Sequence, residues 1–221
     1  MHQGESKVST KASERWFLVS DLDNTVIDSR VRFNRSIAEA LNCSTDAAPR
    51  VSEVSDLSRV QRSKFYDVFL SGKYMDLDTP VKGSVAVLSR LRSMNIGITY
   101  LTGRHHSKRD SLRSETLASL SKFGFPMPND REVLLCMKPD RMMSTAKYKR
   151  GALEELGKVH ELAVGIDDEP SDLKVMADFI PMVIGIALSP QVAREITSKV
   201  RVPIARDWYE VESIISKSNP I

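Results

Sequence analysis

Short apolar runs punctuate the chain at WFLV (16–19), IGITYL (96–101), EVLLCM (132–137), LAVGI (162–166) and MVIGIAL (182–188). A shorter run, VRVPIA (200–205), is the candidate sixth. Continuous apolar runs of four to eight residues mark strands buried on both faces. The segments between them carry helical spacing. GSVAVLSRLRSM (83–94) aligns Val85, Leu88 and Leu91 on one face, and SETLASLSKFG (114–124) aligns Leu117, Leu120 and Phe123 before Gly124, a helix stop. KRGALEELGK (149–158) and SDLKVMADF (171–179) read as two more helices, and DWYEVESIISKS (207–218) as a last one capped by Asp207. Strands of this type alternating with amphipathic helices predict an α/β fold, a parallel sheet with helices on both faces.

One stretch breaks the alternation. Residues 30–80 hold no buried-strand pattern and read as polar helices, VRFNRSIAEALN (31–42) and SDLSRVQRSKFYDVFLSG (55–72). The expected organisation is therefore a polar tail at 1–14, a core domain at 15–29 and 81–221, and a small helical cap inserted at 30–80 above the sheet edge. The tail has no apolar core of a secretory leader. No run reaches the ~18–20 apolar residues of a membrane span. A cytoplasmic protein with no membrane partner is the expectation.

The totals fit that picture. The 221 residues are 41% hydrophobic and 28% charged, ordinary for a globular chain, with net charge +3 and a pI of about 8.8. A mildly basic balance suits an anionic substrate and is too weak to announce nucleic acid. The two cysteines, Cys43 and Cys136, lie far apart in no metal-ligand spacing and read as free thiols.

Chemistry gathers where the apolar runs end. WFLV runs through Ser20 into Asp21 and Asp23, with Thr25 behind them; IGITYL leads into Thr102-Gly103-Arg104; EVLLCM is followed by Lys138, Lys147 and Lys149; LAVGI ends in Asp167-Asp168, with Asp172 four residues beyond Asp168. In open α/β sheets ligands bind outside the carboxyl ends of the strands. Acids are seldom buried unless paired or bound to metal. Asp21, Asp23, Asp168 and Asp172 brought together would repel unless a cation neutralised them, and with no His or Cys among them the expected cation is hard, above all Mg2+. A hydroxyl and a backbone N–H at Thr102-Gly103, a lysine and a carboxylate nucleophile complete the parts that phosphoryl transfer uses.

DLDNT, LTGR, a downstream lysine and IDDEPSD, in that order and each closing an apolar run, resemble the haloacid dehalogenase superfamily of Rossmann-like phosphohydrolases over roughly residues 16–190. The 30–80 insertion matches that family in position alone. The resemblance implies roles. Asp21 would be the nucleophile that carries the phosphoryl group, and Asp23 the group that protonates the leaving group and then activates water. Asp21, the Asp23 carbonyl and Asp168 would hold Mg2+, with Asp172 supporting them directly or through water. Thr102 and the Gly103 amide would bind phosphate, with Arg104 beside them. Lys149 would stabilise negative charge on nucleophile and phosphate. An acid at position 23 favours phosphate transfer, since the family's dehalogenases lack one there.

Several positions stay open at this stage. Lys147 competes with Lys149, which is preferred because it begins the helix leading into the fourth strand. Lys138 is a weaker third candidate. Asp167 stands where the family often has Gly or Ser, and is either a second metal-side acid or a loop-ordering group. Thr25 reads as loop support. RHHSKR (104–109) is either a contact for an anionic substrate or a solvated first helical turn. Trp208 and Tyr209 are expected to pack on the core.

The functional expectation is a Mg2+-dependent phosphatase acting on a small phosphomonoester through an aspartyl-phosphate. A nucleic-acid end phosphatase is the alternative that the basic balance permits, disfavoured because no aromatic stacking platform or long basic groove is visible. A phosphotransferase is chemically adjacent. The non-enzyme alternative, a module that binds phosphate ligands on an inactive scaffold, is disfavoured because the full set of acids and the lysine is kept.

Overall fold

The computed structural model describes residues 15–45, 54–106, 112–129 and 131–218. The expected tail at 1–14, positions 46–53 of the expected cap and Ser107-Lys108-Arg109 of the basic run lie outside the described residues.

Among the described residues, six parallel strands form the main sheet. In chain order they are β1 (Trp16–Ser20), β4 (Gly97–His105), β5 (Val133–Lys138), β6 (Glu161–Asp167), β7 (Met182–Ile186) and β8 (Ile204–Ala205), arranged β5-β4-β1-β6-β7-β8. β1 is central, with β4 on one side (Leu18 beside Ile98) and β6 on the other (Val19 beside Gly165). The chain therefore reverses its winding beside β1, which makes the crevice between the ends of β1, β4 and β6 the topological switch point. The apolar run at 200–205 contributes β8 only at its end.

Alternating side chains divide the core in two. Leu18 faces a layer made by α3 (Ser84–Ser93), α4 (Leu112–Phe123) and α8 (Trp208–Ser218), with Leu88, Leu91, Leu120, Val211 and Ile215 in one cluster. Phe17 and Val19 face α5 (Thr145–Gly157), α6 (Pro170–Ala177) and α7 (Pro190–Lys199), with Leu153, Leu173, Met176 and Ile196 in the second. Gly97 lies beside Phe17 in register, and a Cβ there would stand 2.5 Å from the Phe17 ring, so only glycine lets β4 pair at that point.

The segment between β1 and α3 leaves and re-enters the core through a two-residue antiparallel pairing of β2 (Ile27–Asp28) with β3 (Thr79–Pro80). Each strand is too short to register as a hydrophobic run. Between them lie α1 (Arg30–Ala40) and α2 (Arg59–Phe69), the latter opened by a capping box of Ser58 and Gln61. These helices share a small cluster of their own: Ile37, Ala40, Leu57 and Phe65, with Phe33 and Phe69 against it.

Asp207 caps α8 as its position suggests, accepting from the Tyr209 and Glu210 amides. Trp208 is fully buried, whereas Tyr209 is exposed on the surface, contrary to expectation. The Trp208 indole N–H donates to the Thr25 carbonyl at 2.7 Å and so braces the loop that follows β1. Trp208→Phe keeps most of the volume but strands that buried carbonyl. It should cost about 1–3 kcal/mol, read as a fall in thermal midpoint of roughly 2–12 °C.

Candidate active site

β1 leads directly into Asp21, β4 ends in Thr102-Gly103-Arg104-His105 and β6 in Asp167, so the polar ends meet at the switch point. Asp21 is locked to the sheet by its own amide, which donates to the Ile166 carbonyl at 3.0 Å. Beyond it the chain turns sharply. Asn24 has φ +57°, a conformation asparagine tolerates, and its side-chain oxygen accepts from the Ser29 amide and hydroxyl.

Lys149 is the hub. It lies in the second turn of α5, which starts at Thr145 under an Ser144 cap rather than at Lys149 as expected from sequence. Its side chain is about 1% exposed, and its ammonium reaches Asp21 Oδ1 at 2.8 Å, Asp167 Oδ2 at 2.7 Å and Asp172 Oδ2 at 2.8 Å. Burial by itself would push the ammonium pKa down; Asp167, Asp21 and Asp172 outweigh it and hold it well above that of a free lysine. Burial pushes the acids the other way. Asp21 is raised to about 6 and Asp167 to about 8, each partly restrained by Lys149, while Asp168 is raised well above the usual range by burial and by its neighbours Asp167 and Asp21.

Asp23 has the opposite environment. Arg104 grips it from β4, Nε to Oδ2 at 3.0 Å and Nη2 to Oδ1 at 2.8 Å, and Arg32 of α1 adds a third ion pair to Oδ1. Burial pushes this carboxyl upward, but the two guanidiniums prevail and hold it well below the usual carboxylate range. Behind them Asp78 pairs with Arg32 at 2.9 Å and stands 3.5 Å from Arg104; it is buried and pushed up to about 6, chiefly by that burial. The clamp joins the helical segment to the sheet at the site itself.

Arg104, read from sequence as a phosphate ligand, is thus buried on Asp23, with Nη1 donating to Thr116 Oγ1 at 3.1 Å. The reason is local. β4 continues past IGITYL, and its pairing with β5 slips between Thr102 and His105, which turns Arg104 inward. At the start of RHHSKR (104–109) the alternative of a solvated helical turn therefore gives way to the end of β4, in which Arg104 and His105 are buried. Thr102 is buried and its hydroxyl accepts from the Arg104 amide. At Gly103 a Cβ would stand 3.1 Å from Thr145, so glycine lets the end of β4 approach the start of α5.

Asp168 sits above this floor, with the Thr25 hydroxyl 3.4 Å from its Oδ1. Lys147 amide donates to the Ser144 cap and its side chain is exposed on the surface, apart from the acids. Lys138, at the end of β5, is buried and lines the same cavity, its ammonium donating to the Met143 carbonyl at 3.1 Å. Arg32 and Asp78 were not singled out by sequence reasoning, because nothing local marks a pair formed across 46 positions.

Among the described residues no three acidic, histidine or cysteine side chains are gathered as a closed metal-ligand set. The donor chemistry nevertheless fits a hard divalent cation. Asp21, Asp167 and Asp172 surround one ammonium through a single oxygen each, Asp168 lines the same cavity, and all donors are oxygen. A cavity of about 810 Å³ opens above the acids and is roofed by α1 and α2 through Phe33, Tyr66 and Phe69.

Among solved structures, this architecture is shared with a predicted phosphatase of Clostridium acetobutylicum at a TM-score of 0.65, covering 93% of this chain and 100% of that one at 17% identity. The chain has the haloacid dehalogenase-like fold. A haloacid dehalogenase-like hydrolase of Streptococcus pneumoniae superposes at a TM-score of 0.62, with 16% identity over 91% of this chain and 99% of that one. A predicted phosphoglycolate phosphatase of Haemophilus somnus superposes at 0.57, with 14% identity over 92% and 99%. No protein-family model and no curated protein matches the sequence. The likeness therefore resides in the haloacid dehalogenase-like fold.

Proposed function

We propose that this protein is a Mg2+-dependent phosphatase of small phosphomonoesters that works through an aspartyl-phosphate on Asp21. The observation that carries the proposal is the Lys149 hub: one buried ammonium on the carboxylate just after β1, on the one that ends β6 and on one in α6. An ammonium so placed holds Asp21 oriented at the crevice and offers positive charge where a transferring phosphoryl group gathers negative charge. The haloacid dehalogenase-like fold and its phosphatase neighbours support the same reading.

In the first step a carboxylate oxygen of Asp21 forms a bond to phosphorus while the ester P–O bond breaks. The departing alkoxide takes a proton relayed by Asp23. In the second step water attacks phosphorus, gives its proton to Asp23, and inorganic phosphate leaves Asp21 as a carboxylate. Thr102 and the Gly103 amide hold the phosphoryl oxygens. The Asp21 carboxylate, the Asp23 carbonyl and Asp168 would hold Mg2+, with Asp172 behind them; when bound, the cation neutralises the acids and the phosphate. Arg32 and Arg104 keep Asp23 charged, so the proton relay requires the clamp to loosen, and Arg32 is the part of it carried by the helical segment. We take 30–80 as a cap whose helices α1 and α2 cover the site and limit water and substrate size.

The test is hydrolysis of a phosphate-ester panel with Mg2+ and with EDTA. Activity that EDTA abolishes is expected; activity indifferent to EDTA would remove the cation from the account. Asp23→Asn should slow alkyl phosphates by roughly 10²–10⁴-fold, because the alkoxide then leaves without its proton. It should slow p-nitrophenyl phosphate much less, since that leaving group needs little protonation. An equal loss on both esters would sink the acid role.

Metal affinity should depend on pH with a definite sign. Asp21, raised to about 6, keeps a proton in the unliganded protein below that pH, and Mg2+ must displace it. Calorimetric Mg2+ affinity is expected to weaken about tenfold per pH unit below 6 for each proton displaced. A flat profile between pH 5 and pH 7, bracketing that value, would contradict Asp21 as a ligand.

A further inference from the structure

The cavity above the acids is lined by more cations than one phosphoryl group needs. Asp23 is satisfied by its two arginines, and Arg141 is spent on Asp67 and the Ser63 carbonyl. Three others remain. Arg59, in the first turn of α2, lines the cavity with no carboxylate partner among the described residues. Arg62, one turn on, donates to the Leu57 carbonyl at 3.1 Å and likewise meets no carboxylate there. Lys138 is 7% exposed, and its ammonium is bonded to a single carbonyl. A buried cation with donors to spare is costly unless an anion joins it.

Size and polarity agree. A volume of about 810 Å³ exceeds what a phosphoryl group and a two-carbon stub would fill. Between the acidic floor and the α2 cations the wall is aromatic: Phe33, Tyr66 and Phe69. Phe69 is already braced, with the Arg32 guanidinium 4.1 Å from its ring centre.

We propose that the substrate is a phosphomonoester whose leaving group carries a second anionic group, held by Arg59 and Arg62 with Lys138, beyond an apolar ring-sized body lying against Phe33, Tyr66 and Phe69. This rests on the phosphatase reading and adds the substrate class to it. The shared chemistry is a second anion, either carboxylate or phosphate.

Binding tests it without turnover. Calorimetry on the full chain bearing Asp21→Asn, with Mg2+, compares phenyl phosphate with 4-carboxyphenyl phosphate and with 1,4-phenylene bisphosphate. At least one of the two ligands with an anionic tail should bind about tenfold tighter than phenyl phosphate or better, the worth of one or more charge-assisted contacts. That ratio should collapse toward one when Arg59→Ala and Arg62→Ala are added. Lys138→Met should reduce it separately. Which ligand gains more decides between carboxylate and phosphate. Equal affinities for all three, no binding of any, or a ratio that survives both sets of substitutions would overturn the inference. Wild-type turnover of phenyl phosphate is measured alongside. Turnover with equal affinities removes the second anion and leaves the phosphatase; the tenfold ratio without turnover of any ester removes the phosphatase and leaves the anion site.

Discussion

Asp21→Asn is expected to lower kcat for every phosphate ester by roughly 10⁴-fold or more, because a carboxamide cannot serve as the nucleophile and the steps that follow depend on it. The same change should leave the fold intact. Burial raises the Asp21 carboxyl to about 6, so the folded state binds its proton more tightly than the unfolded chain does. Stability from this group is therefore full below the ordinary carboxylate pKa and is lost as pH rises through about 6. At pH 7 the wild type carries a penalty for keeping Asp21 ionised, which asparagine lacks. Asparagine still fills the space and can face Lys149 with its carbonyl oxygen. The thermal midpoint at pH 7 is expected to hold or rise, and its fall between pH 4 and pH 6, the window of the shifted carboxyl, should flatten. A variant that unfolds would mean that Asp21 is structural; a variant that turns over normally would mean that another group attacks phosphorus.

Lys149→Met is expected to strike both properties at once. The side chain fits the space, but Asp21, Asp167 and Asp172 lose their common counter-charge in a buried site. Breaking a buried ion pair from one side costs about 3–5 kcal/mol. For a chain of this size that is a drop of roughly 6–20 °C in thermal midpoint. The sign with pH distinguishes this from a simple packing defect. Lys149 restrains the pKa of Asp21 and Asp167, so without it both acids should titrate higher and the loss should be largest at neutral pH and shrink in acid. Mg2+ should restore part of the midpoint by neutralising the same carboxylates, without restoring turnover. A midpoint unchanged from wild type would show that Lys149 does not carry the site's charge balance.

The fold was largely legible because buried parallel strands leave continuous apolar runs, and five of the six strands have them. Lys149 was legible through its place before β6, although Ser144, a plain helix cap, already marked the earlier start of α5. What stayed hidden was polar continuation and distant pairing. TGRH looks like loop by composition, yet β4 runs through it because the slip against β5 lets Arg104 turn inward to Asp23. Arg32 and Asp78 belong to opposite ends of the segment between β1 and α3, and only folding brings them together, with Arg32 reaching on to Asp23. Asp167 could be read two ways from its neighbours in sequence; its 2.7 Å contact with Lys149 makes it part of the buried charge network.

The central claim is that Asp21 carries the phosphoryl group. The direct measurement is rapid acid quench of the wild-type protein during turnover of a reactive phosphate ester, followed by peptide mass spectrometry. One phosphoryl group on the peptide containing Asp21 is expected, released by hydroxylamine, dependent on Mg2+ and absent from Asp21→Asn. Sustained hydrolysis with no modified peptide at any quench time, or phosphate found on another residue, would contradict it.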